Sequence, residues 1–169
     1  MDERAIPTAP LDLRTRLAVR RLLWPYAGLA AAVVAADQVT KALVRARLAE
    51  GEAWPATDAV LAISHVENSG AAFGILQGAG TLLLAATVAG VAALLVYLLR
   101  VPPAQRLYLA ALSLILGGAL GNLIDRIAKG TVTDFIDPTH YPAFNLADSA
   151  IVCGVFAIAA LTLLEGGRR

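Results

Sequence analysis

Four membrane-spanning helices carrying a small antiparallel sheet outside the membrane is the architecture the sequence predicts: a mainly α-helical membrane protein, a single domain over residues 1–169. Three observations predict it. Hydrophobic residues make up 58% of the chain and charged residues 16%, against roughly a quarter charged in soluble domains. The apolar residues gather in four blocks of about twenty, the length that crosses a bilayer. Between the first two blocks a run alternates with period two, as a half-buried strand does.

Residues 1–21 carry Arg4, Arg14, Arg16, Arg20 and Arg21 without a long apolar run, and predict a cytoplasmic tail with a short surface helix at Leu11–Arg21. The apolar stretch that follows is too long for a cleaved signal peptide and runs into the polar DQVTK instead of a small-residue cleavage site. The first span is expected over 22–45, with Pro25 in its first turn, where a missing N–H costs little. Trp24 and Tyr26 suit an interfacial belt. Asp37 and Lys41 stand four apart near its far end, so they share a face and can pair. They anchor the helix end, or Asp37 faces a cavity with the later carboxylates.

Residues 46–79 form the long outer segment. Thr57–Val66 alternates loosely and predicts a strand, Asn68-Ser69-Gly70 a turn, and Ala71–Leu76 a returning strand. The second span, 80–99, holds no charge before Arg100 and reads as scaffold. A Pro-broken loop at 100–106 leads to the third span, 107–127. There Gly117 and Gly121 have GxxxG spacing for close helix approach. Gly118, Asn122 and Asp125 follow at intervals of four and three, which puts them on one inward face. Residues 128–143 are expected to be an outer loop broken by Pro138 and Pro142. The fourth span, 144–164, has Asn145, Asp148 and Ser149 on one face of its first turns, and 165–169 closes the chain.

Nine basic residues (the five arginines of the tail, Arg100, Arg106, Arg168 and Arg169) fall on one side of this topology. The positive-inside rule then puts both termini in the cytoplasm and the sheet and the Asp-rich helix ends outside. A net charge of +1 with no basic face or stripe to bind phosphate gives no sign of a nucleic-acid partner, and none is expected. Cys153, the single cysteine, excludes an internal disulfide and a cysteine metal site. His65 has no second ligand at metal spacing and reads as a sheet residue.

The polar stretch from Gly117 to Ser149 is the part to explain, because a carboxylate near hydrocarbon costs ~2.5–3.5 kcal/mol on insertion scales and marks a partner or a task. Asp37, Asp125 and Asp148 lie at outer helix ends and Asp134 in the adjoining loop, so four carboxyls can meet at one depth. Two such groups side by side share a proton. The ionised one can take a proton from water while the neutral one polarises a carbonyl, which hydrolyses an amide without a covalent intermediate. Asp134 and Asp148 are the pair put forward. Ser149 as nucleophile lacks a His or Lys to activate it. A divalent-metal hydrolase using Asp134, Asp137, His140 and Asp148 and a proton- or cation-coupled transporter using the same acids stay open as alternatives. Against a transporter stand the small size and the lack of paired repeats.

The strings DQVTK (Asp37–Lys41), ENSGAAFGIL (Glu67–Leu76), GGALGNLIDR (Gly117–Arg126), TVTDFID (Thr131–Asp137) and FNLADS (Phe144–Ser149) resemble, in order, the motifs of bacterial lipoprotein signal peptidase, signal peptidase II. The resemblance implies four transmembrane helices, an outer β-cradle and a short periplasmic-side helix, the last expected within 128–143. It implies an aspartyl endopeptidase of the bacterial inner membrane, working as a monomer among membrane lipids without cofactor or metal. Its substrates would be diacylglyceryl-prolipoproteins, cut just before the lipidated cysteine. The catalytic pair falls on Asp134 and Asp148. Asp37, Lys41, Asn68, Gly70, Gly118, Asn122, Asp125, Arg126, Phe144 and Asn145 match positions that line the cleft or support the pair, with Asp125 as a structural partner of the helix end. Thr133 departs from the pattern, where an aliphatic residue is more usual, and the tail before the first span is long for the family.

Overall fold

The computed structural model describes residues 13–55, 60–70, 80–98, 100–102 and 105–166, and their side chains from residue 23 onward. The elements in order are α1 (Leu13–Arg47), β1 (Ala53–Trp54), β2 (Leu61–Asn68), α2 (Gly80–Leu98), α3 (Arg106–Lys129), β3 (Val132–Pro138) and α4 (Leu146–Gly166). All four helices are long and apolar enough to cross a membrane. Their outward faces expose large apolar side chains, among them Trp24, Val88, Phe156 and Leu163. Such surface is costly in water and costs nothing against lipid tails.

Helix α3 is the hub. Half of its apolar window is buried, against 22% or less for the other three, and it packs on α1, α2 and α4. Glycines set those spacings. A Cβ on Gly117 would stand 2.7 Å from the Ala30 carbonyl oxygen of α1, one on Gly118 2.3 Å from the Ala147 carbonyl oxygen of α4, and one on Gly154 2.6 Å from the Ala111 carbonyl oxygen of α3. Only hydrogen fits at these places. Gly118→Val should force α3 and α4 apart at the turn that carries Asp148, at a cost of at least the roughly 1–3 kcal/mol of overpacking. Gly28→Ala, with nothing within 4 Å of its Cβ, is the matched control and should melt as the parent does in a detergent melting experiment. Equal melting of the two variants would contradict this packing.

The sheet is antiparallel, in the order β1-β2-β3. Here the structure corrects the sequence reading of 128–143. That segment is no loop with a short helix; it holds strand β3, paired with β2 from Val132↔Asn68 to Pro138↔Leu61. Its Val, Thr, Phe and Ile suit a pleated, half-buried surface, and Pro138 ends it. The partner strand expected over Ala71–Leu76 lies outside the described residues. Pro25 is a second correction. It sits inside one continuous helix and not in a first turn. The helix-forming Leu, Arg and Ala run before it and the apolar span after it carry α1 through the one missing backbone bond. Helix α3 stops at Gly130, which takes the left-handed conformation (φ 79°) and donates its N–H to the Arg126 carbonyl.

Candidate functional site

The C-terminal ends of α1 and α3, the N-terminus of α4 and the sheet meet at one end of the bundle. Helix α4 starts at Leu146, two residues later than expected, because Asn145 caps it. The Asn145 side-chain oxygen accepts the Asp148 N–H at 2.9 Å, and the Asp148 Oδ2 accepts the Asn145 N–H at 3.2 Å. This is a reciprocal capping box, and it fixes Asp148 in the first turn. Asp37 of α1 adds a third acceptor, taking the Ala147 N–H at 3.0 Å, where a carboxylate is favoured by the helix dipole.

Asp134 reaches the same place from β3. Its Oδ1 accepts from Asn145 Nδ2 at 2.7 Å and its Oδ2 from Asn68 Nδ2 at 2.9 Å. Asp148 Oδ1 accepts from Asn122 Nδ2 at 2.7 Å. The three asparagines share one design. Each has its side-chain oxygen pinned by a group that can only donate: Lys41 Nζ to Asn122 at 2.9 Å, the Gly70 N–H to Asn68 at 2.9 Å, and the Asp148 N–H to Asn145. An amide with its oxygen so engaged must turn its NH2 the other way, onto a carboxylate. All four oxygens of the two acids are thereby oriented, with lone pairs left over for a proton and a water. Burial pushes the Asp134 carboxyl up to about 6; the Asp148 charge adds to this, and the amide hydrogen bonds from Asn68 and Asn145 oppose it.

Both acids line one cavity of about 430 Å³, along with Asn68, Gly70, Asn122, Arg126 and Phe144. Its remaining wall is partly apolar, from Val66 and Val132 of the sheet and Ile151 and Val152 of α4. Phe144 is held by backbone bonds with Ile136 and stands edge-on to Tyr141, with ring centroids 6.1 Å apart.

Asp37 and Asp125 do not line this cavity, so the four carboxyls expected to meet at one depth separate into two pairs. Behind the cavity, Lys41 Nζ lies 2.8 Å from Asp37 and 3.0 Å from Asp125, with all three side chains 3% exposed or less. Arg45 adds a second cation 3.8 Å from Asp125 and makes the cluster neutral. Gly121 leaves room for it, since a Cβ there would be 2.6 Å from an Asp37 oxygen. Gly118 acts in the same indirect way, through the α3–α4 approach. Gln38, which sequence reasoning passed over, bridges Asp37, the Gly121 carbonyl and Asp125 at 3.1–3.4 Å. Its signal was its place beside Asp37 in the motif. Among the described residues no group of three or more His, Cys, Asp or Glu could hold a metal ion. His140 is exposed at the end of β3.

Residues 29–164 match the family model described as Signal peptidase (SPase) II. A lipoprotein signal peptidase of Geobacillus thermodenitrificans is 45% identical over 137 residues, covering 79% of this chain and 86% of its own length. One of Bacillus subtilis is 39% identical over 148 residues, covering 85% and 96%. Among solved structures, two bacterial membrane enzymes superpose with TM-scores of 0.81 and 0.75, at 33% and 34% identity. They cover 87% and 83% of this chain and 92% and 94% of theirs.

Proposed function

This chain belongs to the signal peptidase II family, and from that premise we propose that it removes signal peptides from diacylglyceryl-modified prolipoproteins, cutting just before the lipidated cysteine with water activated between Asp134 and Asp148. It is a multi-pass membrane peptidase. The observation that carries the aspartyl mechanism is the convergence of the two carboxyls on one cavity, each aimed by asparagine amides and joined through Asn145.

One proton is shared by the pair. The ionised acid draws a proton from a water in the cavity as the water oxygen bonds to the scissile carbonyl carbon, while the protonated acid donates to the carbonyl oxygen. The tetrahedral intermediate then collapses with cleavage of its C–N bond: the leaving amine takes the proton the base had accepted, and a hydroxyl of the intermediate returns a proton to the other acid, which restores the shared proton. No covalent intermediate or cofactor is needed. Asp37, Lys41 and Asp125 act from behind, by fixing the start of α4 and the Asn122 amide. Arg126 and Phe144 border the space a peptide would occupy.

The substrate's own geometry fits a site at helix ends. A signal peptide is an apolar helix delivered within the bilayer, and two acyl chains hold its cysteine at the water–lipid boundary. The exposed apolar face of α4 beside the cavity, with Val152 and Val155, gives those chains a path from lipid. By the distribution of basic residues both termini lie in the cytoplasm and the cavity opens at the outer face of the inner membrane. The enzyme acts as a monomer. Purified protein should cleave a diacylglyceryl-modified precursor and leave the unmodified precursor intact. Cleavage of both alike, or of neither, would remove this assignment.

A further inference from the structure

Glu67 lines the same cavity near the end of β2, where no role has been given to it, and it gathers more side chains than any other described group outside the two pairs. Its Oε1 accepts from Lys129 Nζ at 2.8 Å and from Thr133 Oγ1 at 2.8 Å, and lies 3.2 Å from His65 Nε2. Its Oε2 accepts from Thr131 and, at 3.1 Å, from Lys129. These partners come from β2, from the end of α3, and from β3 and its leading residue. Thr133 is buried completely, and its hydroxyl also accepts from Arg45 at 2.9 Å, while its N–H donates to Asp125 at 3.3 Å.

The register shows why this matters for the reaction. Glu67 lies directly opposite Thr133 on the β2–β3 pair, and Val66 opposite Asp134. Successive side chains alternate between the faces of a ribbon, so Glu67 and Thr133 share one face while Asn68 and Asp134 meet diagonally on the other. The pairing is irregular between Ile63 and Val66, just before this point, so backbone bonds alone hold the register loosely here. We propose that Glu67 is a positioning residue, whose carboxylate ties Thr131, Thr133 and Lys129 together and so sets where β3 holds Asp134 against Asn68 and Asn145. The inference rests on the assignment of Asp134 to the catalytic pair. Although burial opposes ionisation, hydrogen bonds from Lys129, Thr131, Thr133 and His65 bring the Glu67 carboxyl down to about 2, so the tie stays charged at working pH.

Glu67→Gln keeps the bulk, removes the charge and puts an NH2 where a donor now points. A misplaced catalytic group costs turnover more than binding, so kcat for the lipidated precursor should fall about tenfold with KM within about twofold. Because Lys129 then loses its carboxylate and keeps only the Thr133 hydroxyl at 2.5 Å, the double variant Glu67→Gln, Lys129→Gln is measured beside it in the same proteoliposomes. A purely structural role predicts that the neutral pair recovers both melting temperature and kcat. A positioning role predicts that the melting temperature recovers and kcat stays low. The double variant also serves if the single one does not fold. A kcat within about twofold of the parent in the double variant, or a loss confined to KM, overturns the proposal while leaving the peptidase reading intact. A parent protein that cleaves nothing overturns both.

Discussion

Asp134→Asn is expected to lower cleavage of a lipidated precursor by about a thousandfold or more, and Asp148→Asn by as much, with melting temperature close to the parent's. Each acid is one half of a proton-sharing unit, so removing either removes the whole function and the double variant should be no worse than the single ones. Folding should survive because the substituted amide still occupies a polar, hydrogen-bonded place. Asp148→Asn keeps a side-chain oxygen for the Asn145 N–H, and Asp134→Asn keeps one for Asn68 or Asn145. Asp125→Asn is the contrast. It sits behind the cavity, so its loss should act through stability, and activity per folded molecule should persist. Parent-like turnover in Asp134→Asn or Asp148→Asn would remove that acid from the mechanism.

Lys41→Met should cost the most stability of any single change, about 3–5 kcal/mol, because it leaves Asp37 and Asp125 as buried carboxylates facing each other without a central cation. Activity should go with it. Lys41 Nζ also holds the Asn122 oxygen, so the amide that aims Asp148 loses its fixed orientation. Yield of folded protein and thermal unfolding in detergent measure the effect. A Lys41→Met protein that melts with the parent and still processes precursor would show that the ion cluster is incidental.

The helices were legible because hydrophobic length is a strong signal, and the close α3–α4 approach because glycine spacing is. That the acids at the outer helix ends needed a task could be read from carboxylates beside long apolar runs, but the choice of Asp134 and Asp148 among them came from the resemblance of TVTDFID and FNLADS to the family's motifs. What sequence could not supply was the division of four carboxyls into a cavity pair and a buried salt-bridged pair. That depends on which way α1 and α3 turn, and Asp37, Lys41 and Arg45 share an i, i+4 row whichever neighbour they meet. Strand β3 was missed for a related reason. VTDFIDP reads as a polar loop broken by proline until β2 lies alongside to take its backbone bonds. Glu67 heads the ENSGAAFGIL string, but nothing in the sequence pointed to its role, since its four partners are brought to it by that same strand pairing.

Everything functional here depends on Asp134 and Asp148 behaving as one titrating unit. Infrared titration of the purified protein measures this directly through the protonated-carboxyl band. One such proton is expected, held below about pH 6 and released as pH rises through that value, above the range of an ordinary aspartate. Asp134→Asn and Asp148→Asn should each move that titration away from this value, because the pair and not either acid alone sets it. Two separate titrations, each removed by only one substitution, would contradict it.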